Sequence, residues 1–145
     1  MFTHLLIPTD GSNLSRAAVR KGVQLAKALN AGVTGITVVP EQHVYLYQTD
    51  ITEQVKKETV REHRLEAERR LEVVRKVAGE AGVACETVVE SGDHPVEVIV
   101  AAAKKRACDL IVMASHGRRG VTGVLLGSET QKVLTHSSIP VLVFR

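Results

Sequence analysis

The sequence predicts one α/β domain built on a doubly wound, five-stranded parallel sheet. Its 145 residues amount to about one domain's worth of chain. Short apolar segments alternate with helical segments, an order typical of βαβ units joined by right-handed crossovers. Residues 109–115 (DLIVMAS) form a nearly continuous apolar run, which indicates a strand covered by helices on both faces. We therefore expect a single domain over residues 1–145.

Five short segments rich in aliphatic and β-branched residues predict the strands. The first ends at the turn-forming residues 9–12 (TDGS), and the second ends at Pro40. The predicted strands are residues 2–8, 33–39, 83–90, 109–115 and 140–144. Residues 40–50, which include Tyr45 and Tyr47, lack periodicity and predict a loop that serves either as a lid or as a partner surface.

Helices are predicted between these strands, at about residues 14–30, 51–81, 95–106 and 128–136. Asn30 and Gly82 are suitable helix ends, and Pro95 suits a first helical turn. The inward face of the first helix is expected to hold Leu14, Ala17, Ala18, Lys21, Leu25 and Ala28. The inward candidates of the long second helix are Val55, Leu71, Val74 and Ala78.

The composition favours a cytoplasmic protein with an aliphatic core. Hydrophobic residues make up 44% of the chain and charged residues 24%, close to the average for soluble globular proteins. No run approaches the roughly 20 apolar residues of a membrane span, and no basic segment precedes the first apolar stretch. We therefore expect no membrane partner.

Charge distribution argues against nucleic-acid binding, although the net charge is +3 and the isoelectric point about 9.0. Aromatic residues are only 3% of the chain and Trp is absent, so stacking platforms are not expected. Acidic and basic residues mix in the second helix, with pairs such as Glu66–Arg70 and Glu72–Lys76 that are typical of a solvated face. The six histidines lack tight ligand spacing, so no zinc site is expected.

Two loops are candidates for ligand binding, because ligands of such sheets bind beyond the carboxyl ends of the strands where the strand order reverses. After the fourth strand, residues 117–127 contain four glycines, whose backbone N–H groups can approach an anion. Gly127 and Ser128 open a predicted helix, which suits a phosphate, and Arg118 can screen negative charge. The segment matches neither GxGxxG nor GxxxxGK[ST].

Asp10, in the loop after the first strand, is the candidate acceptor for a ribose hydroxyl or a base amine. A turn or cap role at the start of the first helix is the alternative, and the two roles are compatible.

These residues resemble the universal stress protein family along the whole chain. ATP-binding members carry a glycine, two residues, a second glycine, nine residues and then Gly-Ser or Gly-Thr. Here the pattern falls on Ala114, Gly117 and Gly127-Ser128, with Ala114 replacing the first glycine. The turn at residues 8–10 (PTD) and the closing strand at 140–143 (PVLV) also match.

The resemblance implies an adenine nucleotide alpha hydrolase-like fold with strand order 3-2-1-4-5, and ATP, with Mg²⁺, between the first and fourth strands. It also implies a homodimer formed through the closing strand at 140–144. The positions expected at the nucleotide are Pro8, Thr9, Asp10, Val38, Met113, Ala114, His116, Gly117, Arg118, Gly127, Ser128, Glu129 and Thr130.

Catalysis is less strongly indicated than binding. Ser115 and His116 are adjacent in sequence, but adjacent side chains on an extended segment diverge, and no GxSxG elbow is present. At most we expect slow ATP hydrolysis, with His116 as the best candidate base, and we assign no catalytic residue. The first hypothesis is a nucleotide-dependent regulatory protein with unknown protein partners. The alternative is a dimeric interaction protein of the same fold that binds no nucleotide.

Overall fold

Strands and helices alternate along the chain as predicted in the computed structural model, which describes residues 1–41, 52–117 and 126–145. The strands are β1 (His4–Pro8), β2 (Gly32–Val39), β3 (Cys85–Ser91), β4 (Leu110–Ala114) and β5 (Val141–Phe144). The helices are α1 (Asn13–Leu29), α2 (Glu53–Ala81), α3 (Pro95–Lys105) and α4 (Ser128–His136). Most of the predicted loop at 40–50 and Arg118 lie outside the described residues.

All five strands join one parallel sheet in the order β3-β2-β1-β4-β5, which confirms the predicted fold class. Helices cover both faces of the sheet. Leu5 and Ile7 of β1 belong to the core cluster beneath α1 and α2, whereas Leu6 belongs to the cluster that α3 and α4 cover. The five residues of β4 are all buried, as its apolar run predicts.

The inward face predicted for α1 is partly wrong: Ala18 is buried and Leu25 packs against the core, but Leu14, Lys21 and Ala28 are exposed. Leu14 is 41% exposed, whereas Ser15 and Gly22 are buried. A Cβ at Gly22 would stand 2.7 Å from Ile7 Cδ1 and 3.2 Å from Val112 Cγ1, so the helix approaches the sheet through its glycine. The buried face of α1 therefore consists of small residues and two valines, which allow close packing on the sheet. Its positions are Ser15, Ala18, Val19, Gly22, Val23 and Ala26.

Only the second half of α2 covers the sheet. Its buried residues are Ala67, Leu71, Val74 and Ala78, so three of the four inward candidates are confirmed. The fourth, Val55, is 46% exposed and that expectation was wrong. A 29-residue helix is roughly 43 Å long, far longer than the eight-residue strand β2 that it follows. The first half of α2 therefore extends beyond its buried contacts.

Asp109 fixes the start of β1 at the amino edge of the sheet. Its carboxylate accepts hydrogen bonds from the backbone N–H of Thr3 (2.8 Å), the Thr3 hydroxyl (2.8 Å) and the backbone N–H of His4 (3.0 Å). Burial acts to raise the pKa of Asp109, but the hydrogen bonds from His4 and Thr3 outweigh it and hold that pKa below its usual value. The ionised carboxylate therefore stabilises this edge.

Candidate functional site

The candidate site lies at the carboxyl ends of β1 and β4, which are neighbours in the centre of the sheet. Leu5 pairs with Leu110 and Leu6 with Ile111. The chain leaves β1 toward the face covered by α1 and α2, and leaves β4 toward α4 on the opposite face. Divergent connections of this kind open a crevice at the point where the strand order reverses. The predicted location of the site therefore coincides with the switch point of the sheet.

Thr9 anchors the loop after β1. Its backbone N–H donates to the Ile36 carbonyl (2.9 Å), and its own carbonyl accepts from the Thr37 hydroxyl (2.6 Å). The Thr9 hydroxyl is 2.5 Å from the Ser15 hydroxyl, and Thr9 is buried. The polar groups of Thr9 are thus engaged within the protein, which holds the following residue in place.

Asp10 takes the turn role that the sequence offered for it and lies beside the loop after β4. Its Oδ1 accepts from the Ser12 N–H (2.9 Å), which forms the turn before α1. The N-cap itself is Ser12, whose hydroxyl accepts from the Ser15 N–H (3.2 Å). The second carboxylate oxygen, Oδ2, is directed at Gly117 in the loop after β4. Asp10 therefore forms the turn before α1 with Oδ1 and lies against the loop after β4 with Oδ2.

Two motif glycines stand where a side chain would collide. A Cβ at Gly117 would overlap Asp10 Oδ2. A Cβ at Gly127 would be 3.1 Å from the Ser115 carbonyl oxygen, which already accepts a hydrogen bond of 2.7 Å from the Gly127 N–H. The two ends of the glycine-rich loop are therefore close together, because Gly127 is hydrogen-bonded to Ser115. Gly117, at the first end, also lies against Asp10 in the loop after β1. Ser128 follows as the exposed first residue of α4.

Thr130 ties α4 to the end of β4. Its hydroxyl donates to the Ala114 carbonyl (2.9 Å), and both residues are buried. The Met113 side chain lies in the core cluster beneath α3 and α4, so only its main chain is available to a ligand at this edge. Ala114 is 7% exposed, which means that its methyl group is largely covered by the protein.

His116 carries an unsatisfied polar atom at the crevice. Its Nδ1 is 3.0 Å from the hydroxyl of Ser115, which is buried. Its Nε2 is buried and has no hydrogen-bond partner among residues 1–41, 52–117 and 126–145. Ser115 and His116 thus do interact, contrary to the expected divergence, although the structure supplies no carboxylate bonded to Nε2 within those ranges. A buried polar atom without a partner is costly, so a ligand group that pairs with this nitrogen is favoured.

Glu129 faces away from the centre of the crevice. Its Oε1 is 3.3 Å from Lys132 Nζ. Glu129 also lines a groove of about 520 Å³ between α3 and α4, together with His94, Lys104 and His136.

Val38 is half-buried in β2, where it pairs with Glu90 of β3. The structure therefore brings Asp10, Gly117 and Gly127 together and sets Glu129 at a different surface.

One residue near the site was not found from the sequence. Arg70 of α2 lies against Gly11, with Cγ 3.0 Å from the position of a Cβ on that glycine. Its side chain is only 19% exposed, although the Glu66–Arg70 spacing had indicated a solvated pair. The i,i+4 spacing was a weak signal for Arg70. On a helix with many charged residues, this spacing does not reveal which arginine is covered by a loop from elsewhere in the chain.

Within the described ranges, no group of three or more His, Cys, Asp and Glu side chains is arranged to hold a metal ion. No helix of the described chain is long and apolar enough to span a membrane.

The fold and the crevice define a class: a doubly wound α/β domain with a glycine-lined switch point between β1 and β4. The family model described as the universal stress protein family matches residues 1–145. The chain therefore belongs to the universal stress protein family.

Individual relatives agree with this assignment. The universal stress protein MJ0531 of Methanocaldococcus jannaschii is 34% identical over 145 residues, covering 100% of this chain and 83% of the relative. The solved structure of the same organism's MJ0577 has a TM-score of 0.80 and 28% identity, and it covers 99% of this chain and 95% of that one. A universal stress protein solved in complex with cAMP has a TM-score of 0.67 and 26% identity, covering 99% and 97%.

Proposed function

We propose that this protein binds ATP, with Mg²⁺, in the crevice between β1 and β4 and acts as a nucleotide-dependent regulatory module. The observation that carries the proposal is the meeting of Asp10 Oδ2 with Gly117 at the switch point of the sheet. A carboxylate acceptor and a glycine loop that faces it are the complementary parts of a nucleotide site. Both parts come from the loops that follow the neighbouring strands β1 and β4.

The residues present fit an adenine nucleotide. Asp10 Oδ2 is an acceptor for a base amine or a ribose hydroxyl, while the amides at Gly117 and Ser128 suit phosphate oxygens. The Gly127 N–H is held by the Ser115 carbonyl, and Gly127 serves the site by its lack of a side chain. The buried His116 Nε2 adds a polar atom without a partner in the described chain. Magnesium would be held chiefly by the phosphates and water, as is usual where few protein carboxylates are available.

The departure at Ala114 is compatible with this site. A methyl group that stood open in the crevice would obstruct a nucleotide, but Ala114 is buried at 7% exposure. Its carbonyl is also engaged by the Thr130 hydroxyl, which fixes the end of β4. The substitution therefore adds little exposed side-chain surface at the end of β4.

The relatives support an adenine nucleotide as the ligand class. A similar universal stress protein has been solved in complex with cAMP, which carries an adenine, a ribose and a phosphate. The three phosphates of ATP suit the glycine-rich stretch better than one phosphate does, because it offers amides from both its ends. We assign no catalytic residue, and occupancy rather than turnover is the proposed signal.

We further propose that the protein is cytoplasmic and forms a homodimer through β5. β5 is an edge strand of the sheet, and its four residues are only half-buried. An apolar edge of this kind is a template for pairing with a second strand. Nucleotide binding beside β4, the neighbour of β5, would then influence a dimer surface and the protein partners that recognise it.

Acid extraction of freshly purified protein, followed by titration calorimetry with Mg²⁺-ATP, tests the proposal. We expect ATP or ADP in the extract, or saturable binding on titration, with loss of both in Gly127→Val and binding weakened about ten-fold in Asp10→Ala. The matched control is Gly79→Val, because a Cβ at Gly79 meets nothing within 4 Å. An empty extract together with a null titration would overturn ATP binding and leave the dimeric interaction protein as the better description.

A further inference from the structure

Helix α2 places one arginine on the loop that follows β1. The aliphatic stem of Arg70 packs over Gly11, where a Cβ would stand 3.0 Å from Cγ and 3.3 Å from Cδ. Gly11 also has φ +79°, a conformation that favours glycine. The close approach and the backbone conformation both require glycine here, so the arginine stem and the turn are fitted to each other.

The guanidinium end of Arg70 is covered but incompletely paired. The side chain is 19% exposed, and its Nε is buried with no hydrogen-bond partner among the described residues. Glu66 Oε1 lies 3.6 Å from Nε, an ionic contact that is too long for a hydrogen bond. A buried donor without an acceptor is costly, so this N–H favours any ligand oxygen that reaches it.

The surroundings favour an anionic partner. Gly11 directly precedes the N-cap of α1, whose first turn contains no acidic residue, and Asp10 is the nearby carboxylate that accepts the N–H of the N-cap residue Ser12. Arg70 adds a positive charge at the same turn. Guanidinium groups pair with phosphates through charge-assisted hydrogen bonds, which makes a phosphate the best chemical match.

We infer that Arg70 is a further ligand of the bound nucleotide and contacts its phosphates from the α2 side of the crevice. The inference rests on the proposed function, because the phosphates belong to the nucleotide proposed above. Arg70 would supply charge and a donor from α2, in addition to the backbone amides and Arg118 of the glycine-rich loop. The role is distinct from simple support of the turn, which needs only the aliphatic stem.

Arg70→Met separates these two roles, since it keeps an unbranched stem over Gly11 and removes the charge and the donors. Its matched control is Arg69→Met on the same helix. Arg69 lies 3.5 Å from the same Glu66 carboxylate, but its side chain is 77% exposed. Arg70→Lys serves as a second variant, because it retains the positive charge but lacks the planar guanidinium group and its paired N–H donors. The melting temperature of each variant reports whether the turn remains intact.

Calorimetric titrations with ATP, ADP and AMP (each with Mg²⁺) and with adenosine provide the test. We expect Arg70→Met to weaken ATP binding by about ten-fold or more, with a smaller loss for AMP and none for adenosine. Arg70→Lys should recover part of the loss, and Arg69→Met should stay within about two-fold of the parent protein. The salt dependence of ATP binding should also become shallower in Arg70→Met.

Two results would overturn the inference while leaving the proposed function intact. One is ATP affinity in Arg70→Met within two-fold of the parent. The other is an equal loss for all four ligands, adenosine included, which would make Arg70 a support of the turn only. If the parent protein binds none of the four ligands, the proposed function itself fails and the inference fails with it.

Discussion

The Cα of Gly117 faces the Asp10 carboxylate so closely that a Cβ on the glycine would overlap Oδ2. Asp10 cannot easily retreat, because its other oxygen accepts the Ser12 N–H at 2.9 Å. The contact joins the loops after β1 and β4. It also makes the two positions interdependent, since a side chain at one must displace the carboxylate at the other.

This dependence predicts the outcome of a double-mutant cycle. Asp10→Ala and Gly117→Ala should each weaken ATP binding by about ten-fold, the first by removing the acceptor and the second by displacing it. The double variant should bind about as weakly as either single one, which corresponds to a coupling of about 1 kcal/mol or more. Calorimetric affinities of the four proteins provide the measurement. Strictly additive losses would contradict a shared mechanism.

The buried position of Ala114 predicts that restoring the motif glycine has little effect on binding. In Ala114→Gly the affinity for ATP should stay within about two-fold, because the methyl group is covered by the protein. The free energy of unfolding should fall by about 1 kcal/mol, since a glycine weakens a strand and a buried methyl group is lost. Chemical denaturation and calorimetry measure the two effects separately. A large gain in affinity would show that the methyl group obstructs the crevice.

Asp109 predicts a pH-dependent contribution to stability at the amino edge of the sheet. Its pKa in the folded protein lies below the unfolded value of about 3.9, so its contribution is present above that value and is lost as the pH falls through the folded pKa. Allowing for solvent screening, Asp109→Asn should cost about 1 kcal/mol at neutral pH. The difference between Asp109→Asn and the parent in urea denaturation should shrink below about pH 4. A difference that is constant from pH 7 to 3 would disagree with this account.

The hydrogen bonds of β5 identify a variant that tests the homodimer. Pro140 and Phe144 direct their carbonyls at β4, where they accept from Ile111 N–H (2.9 Å) and Ser115 N–H (2.7 Å). Because backbone groups alternate along a strand, Val143 directs its N–H and carbonyl away from β4. Val143→Pro should therefore leave the sheet intact and remove one outward donor.

Light scattering after gel filtration should find a dimer for the parent protein and a monomer for Val143→Pro. Circular dichroism of the variant, together with its ATP affinity, serves as the control for folding. A monomeric parent at micromolar concentration, or a variant that remains dimeric, would rule out pairing through β5.

Patterns along the chain predicted the sheet better than they predicted the helix faces. The alternation of strands and helices led to the right fold class, and the switch-point rule pointed to the loops that carry Asp10 and Gly117. The strand order, by contrast, was implied by the family resemblance and is confirmed by the structure. The face of α1 was partly misplaced, because Gly22 is buried by close approach and not by its hydrophobicity. Apolar periodicity ignores glycine, so it cannot detect such a contact.

Arg70 was missed for a related reason. Its spacing from Glu66 is the same as that of many exposed ion pairs, and the residue that covers it, Gly11, lies far away in sequence. Only the packing of α2 against the β1 loop distinguishes Arg70 from its neighbour Arg69, whose side chain is 77% exposed. A local sequence pattern reveals charge and helical periodicity. It does not reveal which residue, distant in sequence, packs against a given side chain.

Strand β1 has a further consequence for cooperativity. Its consecutive residues alternate between the two core clusters, with Leu5 and Ile7 in one and Leu6 in the other. Neither helical layer can therefore separate from the sheet without disturbing the strand that the other layer needs, so the layers unfold as one unit. The same strand leads directly into Thr9 and Asp10, so a ligand held at the crevice would stabilise both layers together.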